Sequence, residues 1–225
     1  IRDRIATSFV FSQEFKEELL VHQNDTLPYR ILIPENYNSQ KSYPLLIFLH
    51  GAGERGSDNK SQLVHGSFLF KSEDFRNNYP AIVVFPQCPK ASYWASVKRD
   101  YEVSLEKKYT YYESLPKNPQ LEIVEALRMR SYPLPDNVYC CAGGGGLISG
   151  IAIAFARYSP KTRVIPVEPK GFDSTGQSLN TGRLMTLHLA KKSICDALQA
   201  LRPGKVPFAC LSSINMGSPV VVIDE

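Results

Sequence analysis

No apolar run in the 225-residue sequence approaches the ~20 residues that a membrane-crossing helix needs, so no membrane partner is expected. There is no internal repeat and no low-complexity segment, which excludes solenoids and long disordered tails. The five cysteines, Cys88, Cys140, Cys141, Cys195 and Cys210, lack metal-ligand spacing, and no metal site is read from them. They read as small buried hydrophobes in a reducing compartment. Charge of one sign is scarce as well. The 26 basic and 22 acidic residues leave a net +4, too little to argue for nucleic acid. That surplus is uneven, because residues 1–137 hold 17 basic and 17 acidic residues. The excess therefore falls wholly in 138–225, the half that attracts an anion unless the charge serves only solubility. No signal-peptide pattern opens the sequence at Ile1, and a soluble, cytoplasmic setting is expected.

What is present alternates between two periods. Tyr29, Ile31 and Ile33 alternate with Arg30 and Leu32, as in a half-buried strand. Residues 44–49 and 81–85 are continuous apolar runs, as in strands covered on both faces. Strands are expected over 31–33, 45–49, 82–85, 138–141 and 164–167, with a further β-branched run at 219–223. Helical spacing appears in 121–130, in 147–156, and in Leu187, Ala190, Ile194 and Leu198. Strands alternating with helices predict an α/β fold, with a mainly parallel sheet and helices on both faces. A single domain spanning 1–225 is expected.

Residues 142–150 read Ala-Gly-Gly-Gly-Gly-Leu-Ile-Ser-Gly. Four consecutive glycines are entropically costly, so the backbone there must need positive φ or close approach. A strand, a glycine turn and a helix start together present N–H groups to an anion. Phosphate, free or carried by a cofactor, is the ligand this pattern suits. No Arg or Lys lies within the turn, so binding is expected to be modest.

Two resemblances follow, one for each half. The strings 27–37, Tyr43-Pro44-Leu45-Leu46-Ile47-Phe48-Leu49-His50-Gly51-Ala52-Gly53-Glu54-Arg55-Gly56, Gln62-Leu63-Val64-His65-Gly66, and 80–89 with Trp94 resemble α/β-hydrolase esterases related to polyhydroxyalkanoate depolymerases and feruloyl esterases. This likeness covers roughly residues 12–140. It implies an α/β-hydrolase-like N-terminal part, an ester substrate, no cofactor, and Ala52 as a backbone donor of the oxyanion hole. In that family the strand here at 138–142 leads into Gly-x-Ser-x-Gly. The serine position is Gly144, so the nucleophile is missing. Ser149 falls outside the motif, and His188 sits in a helical pattern, which makes a core or surface histidine its better reading.

From 138 onward, the tetraglycine string, Val167-Glu168-Pro169-Lys170-Gly171-Phe172-Asp173, Gln177-Ser178-Leu179 and 192–198 resemble threonine/serine dehydratases of the fold-type-II pyridoxal-phosphate class. The resemblance implies that Gly143, Gly144, Gly145 and Gly146 hold the cofactor phosphate. It offers no lysine of this sequence for the Schiff base, and the Ser/Asn-Gly-Asn motif is absent.

The whole looks like a chimera of 1–137 and 138–225, joined near Asp136 to Ala142. Three readings stand. The first is a carboxylesterase-like protein without its serine, impaired or inactive. The second is a pyridoxal-phosphate or phosphate binder of the threonine/serine dehydratase kind without its lysine. The third is a non-enzymatic chimeric scaffold. The expected ligand is a small ester or a phosphate-bearing molecule.

Overall fold

The computed structural model describes residues 14–22, 25–94, 97–99, 109–111, 135–188, 193, 195–214 and 220–223. The chain divides into two compact units, Ile1–Thr110 and Tyr111–Glu225.

The first unit is built on a four-stranded sheet of β1 (Lys16–His22), β2 (Asp25–Leu32), β3 (Leu45–Ile47) and β4 (Ile82–Pro86), in the order β1-β2-β4-β3. Two short helices, α1 (Ser67–Lys71) and α2 (Glu73–Asn78), precede β4. Ser72 caps α2 by accepting from the Phe75 N–H at 3.2 Å. The apolar run of β4 supplies Val83 and Phe85, both fully buried. Phe85 stacks on Phe48 with centroids 4.6 Å apart and meets Phe15 and Phe70 edge-on at 5.0 and 5.6 Å. That aromatic cluster is the unit's core. Strands β5 (Val97–Arg99) and β6 (Tyr109–Tyr111) form a separate two-stranded sheet.

The second unit holds three parallel strands in the order β7-β8-β9: β7 (Asn137–Cys141), β8 (Arg163–Pro169) and β9 (Val221–Ile223). Three helices accompany them: α3 (Gly146–Tyr158), α4 (Ser174–Thr181) and α5 (Lys205–Ser213). Ile148, Ala152 and Phe155 recur on one face of α3 and bury against Cys140, Val164 and Leu211. No helix among the described residues is long and apolar enough to cross a membrane.

The α/β class holds, and each expected strand forms, although Ile33, Phe48 and Leu49 lie beyond the strand ends. The expectation of one mainly parallel sheet is corrected. The four-stranded sheet is mixed, since β1 pairs antiparallel with β2, β2 antiparallel with β4, and only β3 with β4 is parallel. The cause is chain length. Only two positions separate His22 from Asp25, and a parallel pairing needs a crossover of about a dozen residues. The described strands also form separate sheets. The helical pattern of 121–130 lies outside the described residues. The helix expected over Leu187, Ala190, Ile194 and Leu198 is not formed at its described positions. Leu187 and His188 are non-helical, and Asp196–Leu198 is a single 3₁₀ turn. Ser193 Oγ accepts the Cys195 N–H at 2.9 Å, a local bond that competes with helix.

Glu168 of β8 is fully buried. Its Oε1 accepts the Thr175 N–H at 2.9 Å and its Oε2 the Gly176 N–H at 2.8 Å. The carboxyl thus satisfies the first turn of α4. Burial pushes its pKa up, against the pull of those two N–H bonds. Glu168→Ala orphans both donors, and urea denaturation near pH 5 is expected to show a loss of about 2 kcal/mol. A raised folded pKa means the stabilisation is complete below the ordinary glutamate value of 4.5 and declines as the pH rises through the folded value. The gap between wild type and variant should therefore narrow towards pH 8; a gap that widens contradicts this account.

Candidate functional site

At the end of β7 the Ala142 N–H donates to the Val167 carbonyl at 2.9 Å, and the chain leaves the sheet. Residues 143–145 turn, and α3 begins at Gly146. Gly145 has φ +88, a left-handed conformation that costs any L-residue. A Cβ there would also sit 2.8 Å from Pro207 Cβ. A Cβ on Gly143 would sit 3.0 Å from the Ala197 carbonyl oxygen. Gly143 and Gly145 are therefore dictated by the protein's own packing. A Cβ on Gly144 or Gly146 meets nothing within 4 Å, so those two glycines leave an open face.

The turn's carbonyls are used internally. Gly204 N–H donates to the Gly144 oxygen at 3.0 Å, and Ser149 N–H to the Gly145 oxygen at 3.0 Å. The N–H groups of residues 143–147 have no acceptor among the described residues. Five backbone donors at the start of a 13-residue helix form an electropositive cradle. No side chain caps α3, in contrast to the carboxyl that satisfies α4. Ser149 is buried and its Oγ donates to the Gly145 carbonyl at 2.6 Å, which ties the helix start and leaves no free nucleophile. His188 is exposed. Among the described residues no group of three metal-ligating side chains occurs.

In the first unit, Ala52 opens a 3₁₀ turn, Ala52–Glu54, and is exposed. The N–H groups of Ala52 and Gly53 likewise have no acceptor among the described residues. The preceding His50 is buried and spent on structure. Its Nδ1–H donates to the Gly51 carbonyl at 2.7 Å, and its Nε2 accepts the Cys88 N–H at 2.9 Å. That pattern assigns a neutral ring, and burial holds its pKa below the ordinary histidine value. Trp94 Nε1–H donates to the His50 carbonyl at 2.8 Å. Cys88 and Cys140 are buried thiols pushed up to about 11 and about 12, unreactive as nucleophiles. Sequence reasoning missed the helix-capping Glu168 and a contact between Glu54 and His65. The Val-Glu-Pro string was visible, but nothing in it declared where the carboxyl points.

The strand, glycine turn and helix start belong to a segment that is shared with known proteins. Residues 108–225 match the family described as Pyridoxal-phosphate dependent enzyme. They make up just over half of the sequence, and the chain belongs to that family. It is 35% identical over 79 residues to the biosynthetic L-threonine dehydratase of Halalkalibacterium halodurans, covering 35% of this chain and 19% of that protein. It is 36% identical over 105 residues to the catabolic L-threonine dehydratase of Escherichia coli, covering 47% of this chain and 30% of that protein. Serine racemase of Oryza sativa is 38% identical over 80 residues, covering 36% of this chain and 22% of that protein. The chain thus spans less than a third of the length of these curated relatives. The fold is also similar to a thermostable esterase, at TM-score 0.56 and 19% identity, over 96% of this chain and 56% of that one. The chain therefore combines an esterase-like fold with a pyridoxal-phosphate family segment, as the two resemblances implied.

The division of labour among the glycines is measurable. Gly145→Ala should cost about 2 kcal/mol by chemical denaturation, from the positive φ and the Pro207 contact. Gly144→Ala, with open space and no positive φ, should stay within about 0.5 kcal/mol of wild type. Equal costs at the two positions would contradict this geometry.

Proposed function

We propose that the unit beginning at Tyr111 holds pyridoxal phosphate by its phosphate on the tetraglycine turn, in a protein whose chemistry is of the threonine dehydratase and serine racemase kind. The supporting observation is the set of unpartnered N–H groups at 143–147, open on the side of Gly144 and Gly146. The residues present fit a phosphate. Its oxygens accept from several backbone donors at once, and the missing Cβ atoms leave room for close approach. Gly143, Gly144, Gly145 and Gly146 would hold the group, and the Leu147 N–H would complete the cradle. The Gly204 and Ser149 bonds keep the turn's carbonyl oxygens directed away from the anion. Bound there, the cofactor supplies an electron sink for bond breaking at the α-carbon of an amino acid. The relatives' amino-acid substrates enter this reading by analogy with their names. The esterase-like alternative lacks a serine at Gly144, so the turn itself cannot form an acyl-enzyme.

Titration with inorganic phosphate, followed by amide NMR of the full chain, tests the reading. The Gly143, Gly144, Gly145, Gly146 and Leu147 signals should move together and saturate in the millimolar range, since no Arg or Lys lies in the turn. Pyridoxal phosphate should move the same signals. Gly144→Ala should keep the fold and weaken both ligands by about ten-fold or more, because its methyl enters the open face. Glycine signals that stay fixed while others shift would refute the proposal.

A further inference from the structure

The parallel sheet of the second unit ends on one side in β7, which pairs with β8 alone among the described residues. Two bonds fix which way its backbone faces. The Arg163 N–H donates to the Asp136 carbonyl and the Ala142 N–H to the Val167 carbonyl, both at 2.9 Å. In a parallel pair every second residue turns both its N–H and its C=O to the neighbouring strand, so Val138 and Cys140 face β8. Asn137, Tyr139 and Cys141 therefore present theirs on the open edge, where no backbone donor or acceptor among the described residues meets them. Their side chains share one face of the strand. Tyr139 is 63% exposed, and Cys141 is exposed as well. Asn137 is held to its own sheet by Arg163, whose Nε–H donates to its Oδ1 at 2.9 Å. Such an edge is a template for another strand, and proteins commonly guard it with charge. The edge strand β1 follows that rule with Lys16, Glu17 and Glu18, and β9 is followed in sequence by Asp224 and Glu225. The β7 edge does not follow it, because residues 137–147 hold no charged side chain.

We propose that the β7 edge binds a second copy of this chain, as an antiparallel strand across a two-fold axis at Tyr139. The occupant follows from self-complementarity. With Tyr139 opposite the same residue of the second copy, Asn137 falls opposite the copy's Cys141, and Cys141 opposite its Asn137. All three pairs are then of the hydrogen-bonded kind, each exchanging two N–H to C=O bonds, so every outward backbone group of β7 is satisfied. A shift of one residue sets outward groups against inward ones, and a shift of two leaves a pair unmade. The tyrosine rings meet across the axis as a cross-strand aromatic pair. The absence of charge points to the same occupant. A charged edge repels its own copy and calls for a partner of opposite sign, whereas a neutral one meets its copy without like-charge repulsion. The edge of β3 in the first unit is also uncharged, but its outward positions are Leu45 and Ile47 alone, which makes a shorter ladder. The pairing at β7 is isologous and closed, so assembly stops at the dimer. It is independent of the phosphate reading.

Analytical ultracentrifugation and amide hydrogen exchange of the full chain test the proposal. A single short edge buries little area, so dimers should prevail at about 100 μM and dissociate below about 1 μM. At the higher concentration the Asn137, Tyr139 and Cys141 amides should gain protection of about ten-fold or more over the dilute protein. The Val138 and Cys140 amides, bonded to β8, should be protected at both concentrations. Tyr139→Lys sets two ammonium groups across the axis and should give a monomer, folded by circular dichroism, where wild type is dimeric. In a Cys141→Ser background, Tyr139→Cys should form an intermolecular disulfide on mild oxidation. A hydrogen-bonded pair has Cα atoms about 5.5 Å apart, within the roughly 4.4–6.8 Å that a disulfide spans. Wild-type Cys141 should form none, because its two copies lie about 13 Å apart along the strands. A monomer at every concentration, an assembly larger than a dimer, a dimer that Tyr139→Lys leaves intact, or a cross-link through wild-type Cys141 would each overturn it.

Discussion

The second unit depends on one constraint: a strand must become a helix within four residues, while its backbone donors face outward and its carbonyls face in. Gly145 meets this by taking positive φ with Pro207 against it, and Gly143 by letting the Ala197 carbonyl approach. Everything nearby follows from those two contacts. Gly204 reaches Gly144 because the start of α5 is drawn onto the turn. Ser149 can close on Gly145 because α3 begins there. The helix itself is long, apolar and buried on the Ile148, Ala152 and Phe155 face, so packing rather than propensity holds its N-terminus in place. The donors are thereby held in place by the protein's own packing.

Much of this was legible in the sequence. Apolar runs at 45–49, 82–85, 138–141 and 164–167 marked strands, although Leu45 and Ile47 of β3 are exposed rather than covered on both faces. The glycine run marked the turn because only a backbone requirement explains it. Other elements were invisible for physical reasons. The α4 sequence Ser-Thr-Gly-Gln-Ser-Leu-Asn-Thr reads as loop, and its first turn is held as helix by Glu168, from another element, which accepts the Thr175 and Gly176 N–H groups. The helix Lys205–Ser213 carries Pro207 in its first turn, where a missing N–H costs nothing. Antiparallel pairing of β1 and β2 was hidden because single-strand patterns carry no direction. The His65 contact was hidden because Glu54 and His65 are linked only through the fold.

The seam between the chain's two ancestries is similarly a matter of compactness. The family match begins at residue 108, and the compact units divide between Thr110 and Tyr111. Motif strings had placed the join near Asp136 to Ala142, because recognisable strings start only there. That division falls within three residues of the family boundary. Each unit has its own core, one centred on Phe85 and the other on the α3 face.

The turns after β3 and β7 both carry N–H groups without an acceptor among the described residues, but their electrostatics differ. At the tetraglycine turn no hydrogen bond among the described residues brings a carboxylate to the donors, and Glu168 of the neighbouring strand binds α4 instead. At 51–54 the Glu54 carboxylate lies over Gly51. A permanent anion on the Ala52 and Gly53 donors would face a like charge at close range, which costs binding. The placement of that one carboxylate makes the two turns electrostatically unlike.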